Sequence, residues 1–166
     1  MIAYKFLRAD GSTVFSEFRW PLPGDEPGAW VEALVDPCRS GIHACRPGDL
    51  AYWVGPTLYE IELAGEIVEE RTKVIASRGR LLRRVAAWDE GLSDAFTHMC
   101  AERAHEIARA EPALSAYDAG IDSSIPDGPA MLAFMAAAIA EQRGGQPAYR
   151  AERERQAAWL AERLRP

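Results

Sequence analysis

The apolar pattern changes period near residue 86, and this change limits the possible folds more than any single motif does. Before it, apolar residues alternate with the two-residue period of a strand; after it, they recur at helical spacing. A sheet face and a helix stripe each need a covering layer. The chain is therefore expected to be α+β, with a small mixed or antiparallel sheet in residues 1–85 packed with three helices in 86–166. The two parts are expected to form one cooperative unit, with a functional groove at their seam.

Ile2 to Leu7 predicts a first strand with Ile2, Tyr4 and Phe6 on one face. Asp10-Gly11 is a hairpin-type turn signal, and Thr13 to Trp20 is the expected returning strand. Pro21, Pro23, Gly24, Pro27 and Gly28 then interrupt regular structure. Ala29 to Val35 reads equally as a short helix or a strand. A loop over Asp36 to Gly41 leads into an extended Ile42 to Cys45, and Pro47 to Trp53 reads as a helical turn entered by a proline. In Leu58 to Leu63, Tyr59, Ile61 and Leu63 share one face while Glu60 and Glu62 take the other. Lys73 to Val85 is the last expected strand.

Helices are expected over Trp88–Ala110, Pro129–Arg143 and Pro147–Leu164, separated by Glu111-Pro112 and by Gly144-Gly145. The first carries Leu92, Phe96, Met99, Cys100, Arg103 and Ile107 at helical spacing. The second is apolar almost all round and is expected to be buried. Residues 111–128 read as a loop that can act as a lid.

Composition excludes several classes. Net charge is −6, so no summed positive field attracts phosphate backbones, and nucleic acid is not an expected partner. The most apolar stretch, Ala130 to Ala140, is far shorter than the ~20 residues a bilayer span requires, so no membrane is expected. Met1 to Phe6 lacks the basic start and apolar run of a secretion signal. Three cysteines cannot all pair within one chain, which points to reduced thiols and a cytoplasmic location. Seventeen arginines against two lysines, with abundant alanine, read as a GC-rich bacterial genome.

The densest chemistry lies in Cys38-Arg39-Ser40-Gly41-Ile42-His43-Ala44-Cys45, where two thiols and an imidazole fall within eight residues. Thiolate and imidazole are zinc ligands, and Cys38, His43 and Cys45 with His98 or Cys100 would make four. The spacing matches no common finger or ribbon, so neither a metal nor another cofactor is expected. A second reading makes His43 a general acid or base and Cys38 or Cys45 a nucleophile or polar support, helped by Arg39 or Arg46. A third makes both cysteines small buried hydrophobes. Cys100 fits a core stripe, and His105 falls off it and is expected to be solvated. Glu60 and Glu62 suit acid–base work or the solvated face of an edge strand. The basic run Arg78, Arg80, Arg83 and Arg84 suits a phosphate or an acidic partner, and equally the polar face of a strand that pairs with Glu66, Glu69 and Glu70.

The octapeptide resembles the C-x-x-G-[FI]-H-A-C segment of an uncharacterised domain found in bacterial and phage proteins. The resemblance continues through Tyr59-Glu60-Ile61-Glu62-Leu63-Ala64-Gly65 and Lys73-Val74-Ile75-Ala76-Ser77, covering roughly residues 1–85. It implies that Gly41, His43 and the cysteines share one centre. The order Gly41-Ile42-His43, Tyr52, then Glu60 and Glu62 is also similar to ADP-ribosyltransferase-like folds, although Ile2 to Leu7 carries no His or Arg to grip a dinucleotide. The expected function is a binding or accessory protein with its site around Cys38–Cys45. Arg39, Tyr52, Glu60 and Glu62 are its binding candidates, and a small molecule or a protein is its partner. A small enzyme using His43, Cys38 and Cys45 is the alternative, and an ADP-ribosyltransferase-like enzyme a further one. The apolar helices also allow a homodimer.

Overall fold

Alternation along the first half builds an antiparallel sheet of five strands: β1 (Ile2–Leu7), β2 (Val31–Glu32), β3 (Ile42–Ala44), β4 (Thr57–Glu69) and β5 (Val74–Arg84). With helices mostly in the second half, the fold is α+β. The computed structural model describes residues 1–14, 16–36, 39–118, 121 and 128–164. The chain divides into two compact units, Met1–Trp88 and Asp89–Pro166.

In the first unit the strand order is β1-β4-β5-β2, with β3 beside β2 along the same edge of β5. The β4–β5 hairpin is the longest pairing, and it carries two register shifts, at Glu60/Ile61 and at Ala64/Ile67. At the second, Gly65 takes φ +76, and a Cβ there would lie 2.1 Å from Ser77 Oγ. That hydroxyl instead accepts from the Glu66 backbone N–H at 2.9 Å, so the bulge is stabilised by a side chain. Tyr4 and Cys45 exchange two backbone hydrogen bonds of 2.8 Å, joining β1 to the end of β3. The path β1–β4–β5–β3 thus returns to β1, and the sheet closes on itself.

The closed sheet surrounds one core. Ala3, Leu7, Ile42, Ala44, Tyr59, Ile61, Leu63, Val74, Ala76 and Leu81 occupy alternate strand positions and pack with Trp20. From β1 the core takes Ala3 and Leu7 rather than the Ile2, Tyr4 and Phe6 set. Tyr4 and Phe6 are buried on the opposite face, while Ile2 is exposed. There Phe6 meets Trp88 edge-on at 5.6 Å, and the Trp88 indole donates to the Gly55 carbonyl at 2.9 Å. Trp88 therefore belongs to the sheet unit, and the first helix starts after it.

Two further expectations change. Among the described residues, Thr13 to Trp20 forms turns, with a single bridge between Ser12 and Arg19. Asp10 captures the Ser12 backbone N–H and hydroxyl, Thr13 Oγ1 bonds Ser16 Oγ, and Glu17 sits at φ 55, so local side-chain bonds outcompete a ladder. Glu60 and Glu62 lie on β4, an interior strand flanked by β1 and β5, and not on an edge.

In the second unit, α1 (Glu90–Ala110) is capped by Asp89, whose carboxylate accepts from the Leu92 N–H at 2.8 Å. The pre-proline residue Glu111 is extended and ends it. A single 3₁₀ turn, Pro112–Leu114, and a short α2 (Ser115–Asp118) follow; residues 119, 120 and 122–127 of the expected 111–128 lid lie outside the described residues. The chain then forms α3 (Gly128–Leu164), broken by non-helical backbone at Gly144 and Gly145. The segment before the break is not buried all round, since Met131 and Phe134 are exposed while Leu132, Ala133, Ala136, Ala137 and Ile139 are buried. No helix among the described residues is long and apolar enough to cross a membrane.

Candidate functional site

Residues Ile42 to Cys45 alternate between opposite faces because β3 is extended. Ile42 and Ala44 enter the core, and His43 and Cys45 point away from it. Gly41 makes the entry possible: it sits at φ +122, and a Cβ would lie 2.4 Å from Ile75 Cγ2. Asp36 and Ser40 close the preceding loop through paired backbone bonds, and Arg39 is exposed on it. Cys38 lies outside the described residues.

His43 is half-buried opposite Ile75, and its Nε2 is sealed from solvent without a hydrogen-bond partner. Burial holds the imidazole below its ordinary pKa, Lys73 and Lys5 push the same way, and Glu70 and a Ser40 backbone hydrogen bond oppose them. The ring is thus neutral near pH 7. Lys5 enters from β1 on the core side, only 9% exposed. Its Nζ donates to the His43 carbonyl at 2.6 Å and lies 5.1 Å from the centre of the Trp20 ring. Burial lowers the Lys5 amine to about 8.

Cys45, Tyr4 and Glu60 form a row across β3, β1 and β4, and Arg83 on β5 extends it. Cys45 is 2% exposed, and its Sγ–H donates to the Tyr4 carbonyl at 3.3 Å. Burial, helped by Asp49, pushes the thiol up to about 12, so the protonated form prevails. Arg46 does little to counter this, because its guanidinium is bonded to Asp49 at 2.5 Å, Glu69 at 3.0 Å and the Glu70 and Arg71 carbonyls. The Tyr4 phenol is raised by burial and by Glu60, against the pull of Arg83. Glu60 Oε2 sits 2.6 Å from Arg83 Nη2, an ion pair without hydrogen-bond alignment.

Glu62 pairs instead with Arg80 at 2.8 Å, and the guanidiniums of Arg78 and Arg80 both lie over the Trp30 ring. The arginine run therefore pairs with Glu32, Glu62 and Glu60, not with Glu66, Glu69 and Glu70. The antiparallel register is the reason: it sets Arg80 opposite Glu62 and Arg83 opposite Glu60, while Glu69 and Glu70 sit at the far end of the hairpin beside Arg46 and Lys73. Tyr52 ends the 3₁₀ turn Pro47–Tyr52 and is half-buried.

The structure thus places Cys45 and Glu60 on either side of Tyr4 in one row with His43 two residues before Cys45, puts Glu62 in a separate Arg80–Trp30 group, and leaves Arg39 on a loop. Sequence reasoning missed Lys5 and Tyr4. A lysine at the alternation position between Ala3 and Leu7 was the available signal. In the second unit, Cys100 is fully buried, and His105 is held by Asp118 at 2.6 Å rather than solvated. Among the described residues, no three His, Cys, Asp or Glu side chains converge as a metal site. Compared with protein-family models, with curated proteins and with solved structures, the chain matches none.

Proposed function

We propose that the sheet unit is a binding module, cytoplasmic and bacterial, whose site is the β3 segment around His43. The observation that carries this reading is His43 Nε2, a neutral ring nitrogen shielded from water with no partner. A buried polar atom left unpaired costs about 1–3 kcal/mol, and a ligand group that bonds it once the side chains covering it shift recovers part of that energy on binding. A small molecule or protein segment with a polar group directed at Nε2 is the ligand class. Glu60 supplies a carboxylate two strands away, and Cys45 supports the backbone of that row.

Screening a metabolite mixture against the full chain, read by the His43 imidazole nitrogen resonances, tests this. Binders are expected to move the Nε2 signal and to lose about tenfold or more in affinity in His43→Phe. Binders that leave that signal still and bind His43→Phe equally well would refute it.

The neutral imidazole also favours a second reading, a small enzyme with His43 as general base. In that reading Cys45 is polar support, since its protonated thiol is a poor nucleophile. Turnover of a bound ligand that is lost in His43→Gln while binding persists separates the two.

A further inference from the structure

The second unit, Asp89–Pro166, has eight basic and thirteen acidic residues, yet a groove in it is lined by cations. The groove, about 430 Å³, lies between α1 and α3 at the Gly144–Gly145 break. Arg103, Arg143 and Arg155 line it, with Glu152 as the lining acid and Ile107 and Ala148 among its apolar walls. Like charges converge at a cost unless something of opposite sign joins them.

Glu152 supplies part of the answer and fixes the geometry. It is 3% exposed and accepts from Arg103 Nε at 3.1 Å and from Arg155 Nη2 at 2.6 Å. Gln156 Nε2 adds a contact of 3.3 Å. Arg103 Nη1 is bonded to Glu106 at 2.7 Å, and Arg155 Nη2 also reaches Met99 Sδ. These contacts hold two guanidiniums rigid and leave Arg103 Nη2 and Arg155 Nη1 without an acceptor among the described residues. Arg143 donates to nothing there. Gly145, at φ +67, restarts the helix beside the groove, so the positive end of the following helical segment lies at the same place.

We infer that this groove binds a small phosphorylated molecule, with its phosphate on Arg143 and the free edges of Arg103 and Arg155 and its body against Ile107 and the alanine wall. A phosphate suits the site because guanidinium forks match its oxygens in pairs. Bound there, it offsets the charge that Glu152 and Glu106 leave unbalanced. This site is independent of the His43 reading.

The test uses the full chain and inorganic pyrophosphate as probe, with citrate as a carboxylate control. Calorimetry at low salt is expected to show pyrophosphate binding, and Arg143→Ala to weaken it about tenfold. Arg143 is exposed and makes no bond, so this variant keeps the fold, which a thermal melt verifies. In the unaltered chain, pyrophosphate is also expected to move the Nε resonances of Arg103 and Arg155. Any of three results overturns the inference: no binding up to about 10 mM, equal binding by Arg143→Ala, or citrate bound as tightly as pyrophosphate.

Discussion

Replacing Lys5 by methionine is expected to stabilise the protein in a pH-dependent way. The amine is 9% exposed, faces the sheet core, and has the His43 carbonyl as its hydrogen-bond acceptor and the Trp20 ring as neighbour. Its pKa falls from 10.5 to about 8. At one pKa unit per 1.36 kcal/mol, the charged form destabilises the fold by about 3 kcal/mol relative to the neutral amine. Below pH 8 the lysine is protonated in both states, and this cost is constant. Above pH 8 the folded state sheds a proton that the unfolded chain keeps to pH 10.5, so stability rises with pH. The advantage of Lys5→Met over the unaltered chain is therefore expected to shrink by about 1.3 kcal/mol between pH 7 and pH 9. Urea unfolding of both proteins at pH 7, 8 and 9 measures it, and the thiols cancel in the difference. A difference that stays constant or grows with pH would refute the reasoning.

Three other outcomes are expected. Burial raises Cys45 and Cys100 from 9.0 to about 12, so each contributes stability that is complete below pH 9 and lost above it. Cys45→Ala should remove about 1.4 kcal/mol of the decline between pH 8 and pH 10, and an unchanged decline in urea titrations would contradict this. Gly65→Ala is expected to destabilise by about 1–3 kcal/mol, because φ +76 and the Ser77 hydroxyl exclude a Cβ; an unchanged melting temperature would show that the bulge relaxes freely. Glu152→Ala, which removes the buried carboxylate that Arg103 and Arg155 share, should cost about 1.5–3 kcal/mol in chemical denaturation, and a loss below 1 kcal/mol would mean the contacts are solvated.

Strands whose alternation is strong were legible: Ile2–Leu7, Ile42–Ala44, and the hairpin that contains Tyr59, Ile61 and Leu63. Local chemistry hid the rest. Thr13 to Trp20 alternates like a strand, but Asp10 and Thr13 bind their own neighbours first. Val31–Glu32 pairs with β5 for only two residues, too few to leave a pattern in Ala29–Val35. Closure through Tyr4 and Cys45 joins residues far apart in sequence, which periodicity does not encode. At the site, His43 and Cys45 stand out by residue type, whereas Lys5 and Arg46 matter through what they reach in space. Of the groove arginines, periodicity marks only Arg103, on the stripe of the first helix, because the break at Gly144 that sets Arg143 beside Arg103 and Arg155 is a feature of the backbone path.

The closed sheet also dictates an order of assembly. β4 and β5 are joined by a tight turn at Glu70–Lys73, so their hairpin closes a short loop and can form early. β1 is synthesised first but pairs with β4, Leu7 meeting Thr57 fifty residues later. Until that partner emerges from the ribosome, both edges of an apolar strand are open to other chains. The lysine buried at its centre puts a charge on that waiting strand, where charge discourages mispairing, and the folded state then carries the cost of burying it.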